Sequence, residues 1–293
     1  MKRARLIYNP SAGREEVRKR IPDILNTLEE AGYETSCHAT KGEGDATLAA
    51  RRAVENRFDL VIAAGGDGTV YEVINGIAEQ RYRPALGIIP AGTTNDFARA
   101  IGLPRSIPKA VGVIAKGKPS PIDIGKINDK YFINIAGGGS LTTLTYEVPS
   151  KVKTMLGQLA YYIKGIEKLP FLSPMRVRIE ADNNIVIDEE IMLFLIANSN
   201  SVGGFEKLMP KAKLDDGLFD CIVLKKTSLP EFIRIATMAL KGEHFKHPNV
   251  IHFQTKQLKA TSNKRVDLNL DGELGSSLPC KFTALPRHIQ LIR

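Results

Sequence analysis

The pentapeptide Gly65-Gly66-Asp67-Gly68-Thr69 sets an acid among glycines. It follows the apolar run 60–64 and precedes Val70, Val73, Ile74 and Ile77, which keep helical spacing. Glycines at the end of a buried strand let a ligand approach the backbone closely. The N–H groups that open the following helix favour an anion such as phosphate. An aspartate beside phosphate makes electrostatic sense mainly when a divalent cation stands between them. The stretch is neither a Walker A loop, for no G-K-[ST] follows, nor a G-x-G-x-x-G turn. Read alone, it is equally a tight strand-to-helix turn with Asp67 capping the helix.

Two further loops break that tie. "NPSAG" at residues 9–13 follows the first apolar strand, and "PAGTTNDFAR" at residues 90–99 follows the fourth. In an open α/β sheet, ligands sit in the crevice outside the carboxyl ends of the strands, where these loops would converge. Ser11, Thr40, Thr69, Thr93 and Thr94 could donate there to phosphate or sugar oxygens.

The elements that must position these loops alternate in type. Residues 4–10 read as a strand and 14–32 as one helix closed by Gly32; residues 33–40 read as a second strand. A helix over 44–57 takes Asp45 as its N-cap. Residues 58–66 and 84–92 are continuous apolar strands of the kind buried on both faces of a parallel sheet. A short helix follows each of them. The pattern implies right-handed β-α-β units in a doubly wound α/β domain. From about residue 123 the chain offers mostly strands separated by "NDK", "DNN" and "DDG" turns, which reads as a β-sandwich or barrel. Two helical patterns interrupt it, at 152–168 and 229–241. The domains expected are therefore 1–124, joined by a last strand near 286–293, and 125–285.

Composition narrows the partners. Among 293 residues, 43% are hydrophobic and 25% charged, which suits a soluble globular protein with one or two cores. Three scattered cysteines give no disulfide framework or metal knuckle. The basic N-terminus lacks a signal-peptide core, and the longest apolar run, 191–197, is far shorter than the ~20 residues of a membrane span. The expectation is a cytoplasmic protein. The net charge of +9 favours anionic partners, namely phosphorylated small molecules or an anionic membrane face. With no Trp and only 6% aromatics, base stacking has few platforms, so nucleic acid is not expected. "HFKH" at 244–247, with His252, reads as a solvated loop, since no acid or cysteine completes a metal set. The helix at 152–168 sets Val152, Met155, Leu156, Leu159, Ile163 and Ile166 on one stripe. Lys151, Lys153, Lys164 and Lys168 flank it, so it reads as a covering helix whose lysines can face phospholipid.

"NPSAG", "GGDGTVYEVING", "PAGTTNDFAR" and "DGE", in this order, resemble the bacterial diacylglycerol kinase family of soluble lipid kinases. The resemblance spans almost the whole chain. It implies an N-terminal nucleotide-binding α/β domain, a C-terminal β-sandwich, ATP and Mg²⁺. It also implies a lipid acceptor met peripherally at the inner membrane face, and a homodimer. Position by position, it implies nucleotide contacts from Asn9, Pro10, Ser11, Ala12, Gly13 and Thr40. The stretch Gly65, Gly66, Asp67, Gly68, Thr69, Val70, Tyr71 and Glu72, and Thr93, complete that set. The glutamate of "DGE", Glu273, becomes the general base, with Asp67 as its catalytic partner, while Asp96 and Asp271 join the metal network. "DDGLFD" implies a second metal held by the Asp216 carboxylate and by the backbone carbonyls of Lys213 and Leu218. Diacylglycerol is the acceptor expected. Another lipid acceptor (phosphatidylglycerol or a sphingoid base), an NAD kinase and a non-catalytic lipid-binding regulator stand as alternatives.

Overall fold

The computed structural model describes residues 1–78, 80–139, 173–182, 184–200 and 207–293. The amphipathic pattern at 152–168 lies outside the described residues. The chain divides into two compact units, Met1–Ile122 with Arg287–Arg293, and Asp123–Pro286.

The first unit is a parallel sheet in the order β2–β1–β3–β4, built from β1 (Lys2–Tyr8), β2 (Tyr33–Ala39), β3 (Leu60–Gly65) and β4 (Ala85–Pro90). Between the strands run α1 (Glu16–Lys19), α2 (Ile21–Glu30), α3 (Asp45–Glu55) and α4 (Asp67–Ile77). After β4 come α5 (Asp96–Ala100) and α6 (Ile107–Lys116). Helix α2 packs with α6, and α3 packs with α4. Ala4, Leu6, Leu60, Ile62 and Ala64 share one core with Ile24, Leu28, Val111 and Ile114. Every residue of β3 is buried. Two helical layers covering both faces of the sheet explain why that strand carries no polar alternation.

Three local expectations are corrected here. The helix read over 14–32 breaks at Arg20, which leaves the helical region before Ile21-Pro22 opens α2. Proline at the second helical position is tolerated there, because the missing N–H would have had no partner. The N-cap of α3 is Gly44 at φ 81, not Asp45. Asp45 instead accepts the Lys41 N–H at 2.8 Å and sits 3.1 Å from His38 Nε2. Helix α6 had not been foreseen, although Ser106, Pro108 and the spacing of Val111 and Ile114 are its start signal and apolar face.

The second unit is β-rich. β5 (Pro119–Ile127) enters it and pairs with β6 (Lys130–Phe132), and β7 (Ile135–Gly139) follows. The long β9 (Ile185–Ala197) pairs along its first half with β8 (Met175–Ala181) and along its second with β7 and β10 (Phe219–Lys225). Helix α7 (Leu229–Lys241) begins after Ser228 and closes on Gly242 at φ 74, a left-handed cap that glycine adopts without cost. β11 (Val250–Thr255) pairs with β10, and β12 (Gln257–Ser262) with β8. β13 (Asp267–Leu270) and β14 (Glu273–Ser277) form a hairpin beside β7. Phe132 stacks on Phe219 at 5.5 Å, and Phe194 meets Phe282 edge-on at 6.3 Å, all four buried.

The last strand, β15 (Cys280–Ile292), pairs with β12 through residues 280–283; Leu291 then lies parallel beside Leu86 of β4. His288 fastens that end, with Nε2 at 2.5 Å from the Ala78 carbonyl and its own carbonyl accepting from Arg83 Nε at 2.9 Å.

The histidine pattern is a further correction, since His244 and His247 are buried rather than solvated. His247 Nδ1 accepts the Asn249 N–H at 3.2 Å, which sets its tautomer so that Nε2 donates to Glu231 at 2.5 Å. His244 Nε2 lies 3.0 Å from the Leu208 carbonyl, and Phe245 sits between the rings of His244 and His252. Burial holds the His244 pKa below the usual imidazole value. A depressed histidine pKa gives stability that is present above the unfolded pKa and lost as pH falls toward the folded one. The melting temperature is therefore expected to fall between about pH 7 and pH 5, and less steeply in His244→Phe. An equal slope in both proteins, read by thermal scans, would remove His244 as the cause.

Among the described residues, no helix is long and apolar enough to cross a membrane.

Candidate functional site

The three glycine-bearing loops meet at the carboxyl ends of β1, β3 and β4. The Asn9 N–H donates to the Ala64 carbonyl at 3.0 Å, and the Ala91 N–H to the Gly65 carbonyl at 2.8 Å. Their contact is backbone against backbone. A Cβ on Gly92 would stand 2.4 Å from Gly66 Cα; one on Gly13, whose φ is +57, would stand 2.9 Å from the Ala91 oxygen. No rotamer relieves a clash with main chain, so the sequence requires glycine here. Asn95, itself left-handed at φ 50, clips the third loop by accepting from Gly92 N–H at 2.9 Å and donating to its carbonyl at 2.7 Å.

Asp67 is the first residue of α4, and Gly66, in extended conformation, is its N-cap without a side-chain cap. The capping role that sequence left open for Asp67 therefore falls away. Thr69 and Val70 N–H groups return to the Gly66 carbonyl, so the turn is closed at the helix entrance. Val70 faces the core and offers a ligand only its backbone.

Beside this junction lies a cleft of about 420 Å³ lined by Asn9, Pro10, Ser11, Thr40, Gly68, Thr69 and Glu72. All seven belong to the expected nucleotide set. Ser11 Oγ donates to Asn9 Oδ1 at 2.8 Å, and the Glu72 carboxylate accepts the Ala46 N–H at 3.0 Å. Lys41, Gly42, Glu43 and Ala46 complete the wall, and sequence reasoning had missed them. Their signal was the "KGEGD" turn that Asp45 holds by accepting from Lys41 N–H. Gly13 and Thr93 line instead a second recess of about 360 Å³, together with Glu16, Arg20, Arg105 and the opening residues of α6. Gly65 ends β3, Gly66 caps α4, Ala12 opens a short 3-10 turn, and Tyr71 lies half-buried on α4.

In the second unit, Glu273 is the first residue of β14, pairs with Leu270 and is exposed. The two residues that turn the hairpin, Asp271 and Gly272, both have positive φ, 52° and 96°. That is the type I′ geometry for which Asp-Gly is favoured. Asp271 does more than turn the chain. Its carboxylate accepts the N–H groups of Ile133, Asn134 and Ile135 at 2.7, 2.9 and 2.8 Å. The turn before Glu273 is thus bolted to the approach of β7 by both Asp271 oxygens. Replacing Asp271 by Ala would leave three buried donors unmet, an expected loss of about 3–5 kcal/mol. Asn, which also tolerates the left-handed region, should lose less. Urea unfolding of both variants measures this, and equal stabilities would contradict it. Asp96 is likewise engaged, by Arg99 one turn on.

Two acids, Asp123 and Asp220, act on Asp216. Burial first, then the charges of Asp123 and Asp220, push the Asp216 carboxyl above its usual value. Asp123 is fully buried, and its Oδ2 accepts the Gly217 N–H at 2.6 Å. Asp220 is held by His252 at 3.0 Å and Gln254 at 3.1 Å. Asp216 Oδ1 accepts the Leu218 N–H at 3.0 Å. Among the described residues no three His, Cys, Asp or Glu side chains form a metal cage. A cation at Asp216 would therefore draw on backbone oxygens such as those of Lys213 and Leu218.

Residues 3–127 match the model of the diacylglycerol kinase catalytic domain. Residues 142–293 match that of the YegS C-terminal NAD kinase beta sandwich-like domain. A Bacillus subtilis (strain 168) protein named diacylglycerol kinase is 57% identical over 293 residues, all of this chain and 96% of that one. A crystal structure from Bacillus anthracis str. Sterne, provisionally named a diacylglycerol kinase, aligns with TM-score 0.87 and 31% identity. That alignment covers 99% of this chain and 95% of the other. An NAD kinase from Archaeoglobus fulgidus, solved in complex with ATP, aligns over 99% and 93% with TM-score 0.52 and 12% identity, a likeness of fold alone.

Proposed function

The chain belongs to the diacylglycerol kinase family, and from that premise we propose that it is an ATP-dependent lipid kinase making phosphatidic acid from diacylglycerol. The observation that carries this reading is the backbone junction of Gly13, Gly66 and Gly92, set against a polar cleft at the strand ends. Such a junction holds N–H groups and a helix entrance where phosphate oxygens can approach without side chains in the way.

Phosphoryl transfer asks little covalent chemistry of the protein and much positioning and charge. Asn9, Ser11, Thr40 and Thr69 supply hydroxyl and amide groups that orient the nucleotide, and the 66–72 segment presents its backbone to the phosphates. Asp67, at the head of α4, would hold Mg²⁺, which would supply positive charge against the β- and γ-phosphates. Glu273 takes the proton from the acceptor hydroxyl as that oxygen forms its bond to the γ-phosphorus, while the bond to the ADP oxygen breaks. With a charge of +9, the enzyme works peripherally, at the anionic cytoplasmic face where its acceptor resides.

Transfer of labelled γ-phosphate from ATP with Mg²⁺ tests the reading, with diacylglycerol, phosphatidylglycerol and sphingosine offered separately in mixed micelles. Label in phosphatidic acid, reduced about ten- to a hundredfold by Asp67→Ala, is expected. Label only in another lipid would replace the acceptor, and no label in any would remove the kinase.

A cation at Asp216 has its own test. A carboxyl pKa raised by folding is a destabilising term, absent below the unfolded pKa and fully present above the folded one. At neutral pH without divalent ions, Asp216→Asn should therefore melt higher than wild type. Adding Mg²⁺ should raise the melting temperature of wild type only. A gain in both proteins would place the ion elsewhere.

A further inference from the structure

The residue after the proposed base is apolar and bare: Leu274 is 57% exposed. We infer that it holds an acyl chain of the acceptor, so that Glu273 and Leu274 together recognise an alcohol carried on a hydrocarbon tail. The inference rests on the lipid-kinase reading above and names the side chain that reads the tail.

Surface leucines standing singly are ordinary, so exposure by itself selects nothing. The position of this one does. Glycine stands on either side of the pair, Gly272 before Glu273 and Gly275 after Leu274, and a Cβ on Gly272 would meet nothing within 4 Å. The start of β14 thus presents two side chains in succession, one carboxylate and one hydrocarbon. Diacylglycerol makes the same two demands within one molecule: a hydroxyl whose proton must leave, and acyl chains that must leave water.

The edge beside them is open. β14 ends the sheet order and, among the described residues, pairs only with β13. In a two-residue hairpin the residues flanking the turn, here Leu270 and Glu273, pair through their backbone groups. The N–H and C=O of the next residue, Leu274, therefore point outward. Unpaired edge groups invite any chain that can bond to them, and natural sheets guard such edges with charge. A leucine is no such guard, and it suits a ligand that carries ester oxygens beside hydrocarbon.

Register decides which part of the acceptor the leucine meets. Successive side chains of a strand stand on opposite faces. Glu273 shares a face with its partner Leu270, and Leu274 with Asn269. The row of Leu274 continues through Gly137 of β7 to Leu195 of β9, which is half-buried. With the carboxylate on one face and the leucine on the other, the acyl chain rounds the strand edge before it reaches Leu274. The contact therefore lies several carbons along the chain rather than at the glycerol.

Transfer of labelled phosphate from ATP with Mg²⁺ to dioctanoylglycerol and to dibutyrylglycerol, using the full chain, separates tail from head. Leu274→Ala is expected to lower kcat/KM for the dioctanoyl acceptor about tenfold, through KM, with the KM for ATP unchanged. For the dibutyryl acceptor the loss should stay under about threefold, because its chains end before the leucine. Leu274→Met, which keeps the apolar volume, should recover most of the loss. Val186→Ala removes an equally bare side chain, 55% exposed on β9, and should change neither acceptor. All three positions of substitution are at the surface, so matching melting curves rule out misfolding as the cause of a loss. An equal loss for both acceptors, or no loss for either, would overturn the inference. An equal loss together with dissociation of a dimer would give the edge to a second copy of the chain instead. If wild type labels neither glyceride, the lipid-kinase reading fails and the inference falls with it.

Discussion

Glu273→Gln is expected to lower kcat by about two to four orders of magnitude, the range that a positioned general base contributes, while ATP affinity stays unchanged. The substitution keeps shape and removes only the ability to accept the proton. It should not act through folding, because Glu273 is exposed, follows the Asp-Gly turn and keeps its backbone pairing with Leu270 whatever its side chain. Exposed substitutions of this kind cost within about 0.5 kcal/mol. The contrast with Asp271, two residues earlier, makes the result interpretable. Asp271 is buried and spends its carboxylate on three backbone donors, so its loss should appear in unfolding curves before it appears in turnover. Lost turnover at full stability marks the base, and lost stability marks the bolt. If Glu273→Gln turns over within a few-fold of wild type, the proton leaves by another route and the assignment of the base is wrong.

How far such roles could be read from sequence depended on whether their causes were local. The strands of the first unit were legible because burial on both faces leaves uninterrupted apolar runs, as in Leu60–Gly65. Helix α7 was legible because Ser228 opens it, Gly242 closes it and its apolar positions recur at helical spacing. The glycine loops were legible as loops, but not why each glycine was needed. Gly92 is small because Gly66, 26 positions earlier in the chain, occupies the space of its missing Cβ. The same separation hid the work of Asp271, whose donors lie 136 to 138 residues away. It also hid the burial of His247, whose partner Glu231 sits on another element. Asp45 misled in the opposite way. A local capping preference was overridden by the Lys41 turn and by His38, which claimed its carboxylate for the cleft wall. Glu273 was found by resemblance alone, since an acid after an Asp-Gly turn looks like any surface hairpin.

The Gly66–Gly92 contact bears directly on the largest structural prediction. Gly92→Ala should destabilise the protein by about 1–3 kcal/mol or more, as overpacking against fixed backbone does, and weaken ATP on the order of a hundredfold. The added methyl would stand 2.4 Å from Gly66 Cα and 2.9 Å from Asn95 Oδ1. Asn95 can swing away, at the loss of its two bonds to Gly92, but Gly66 cannot, because the Ala91 N–H and the Gly65 carbonyl hold the two loops together. The loops must part, and a shift near 1 Å at a positioning site can cost about 10²-fold. Gly42→Ala is the matched control. Gly42 lies in the wall of the same polar cleft, yet a Cβ there meets nothing within 4 Å. The same chemical change should therefore leave melting temperature and ATP affinity near wild type. Equal effects of the two substitutions would mean that glycine matters here for chain flexibility, whereas a large effect confined to Gly92 ties it to one backbone contact.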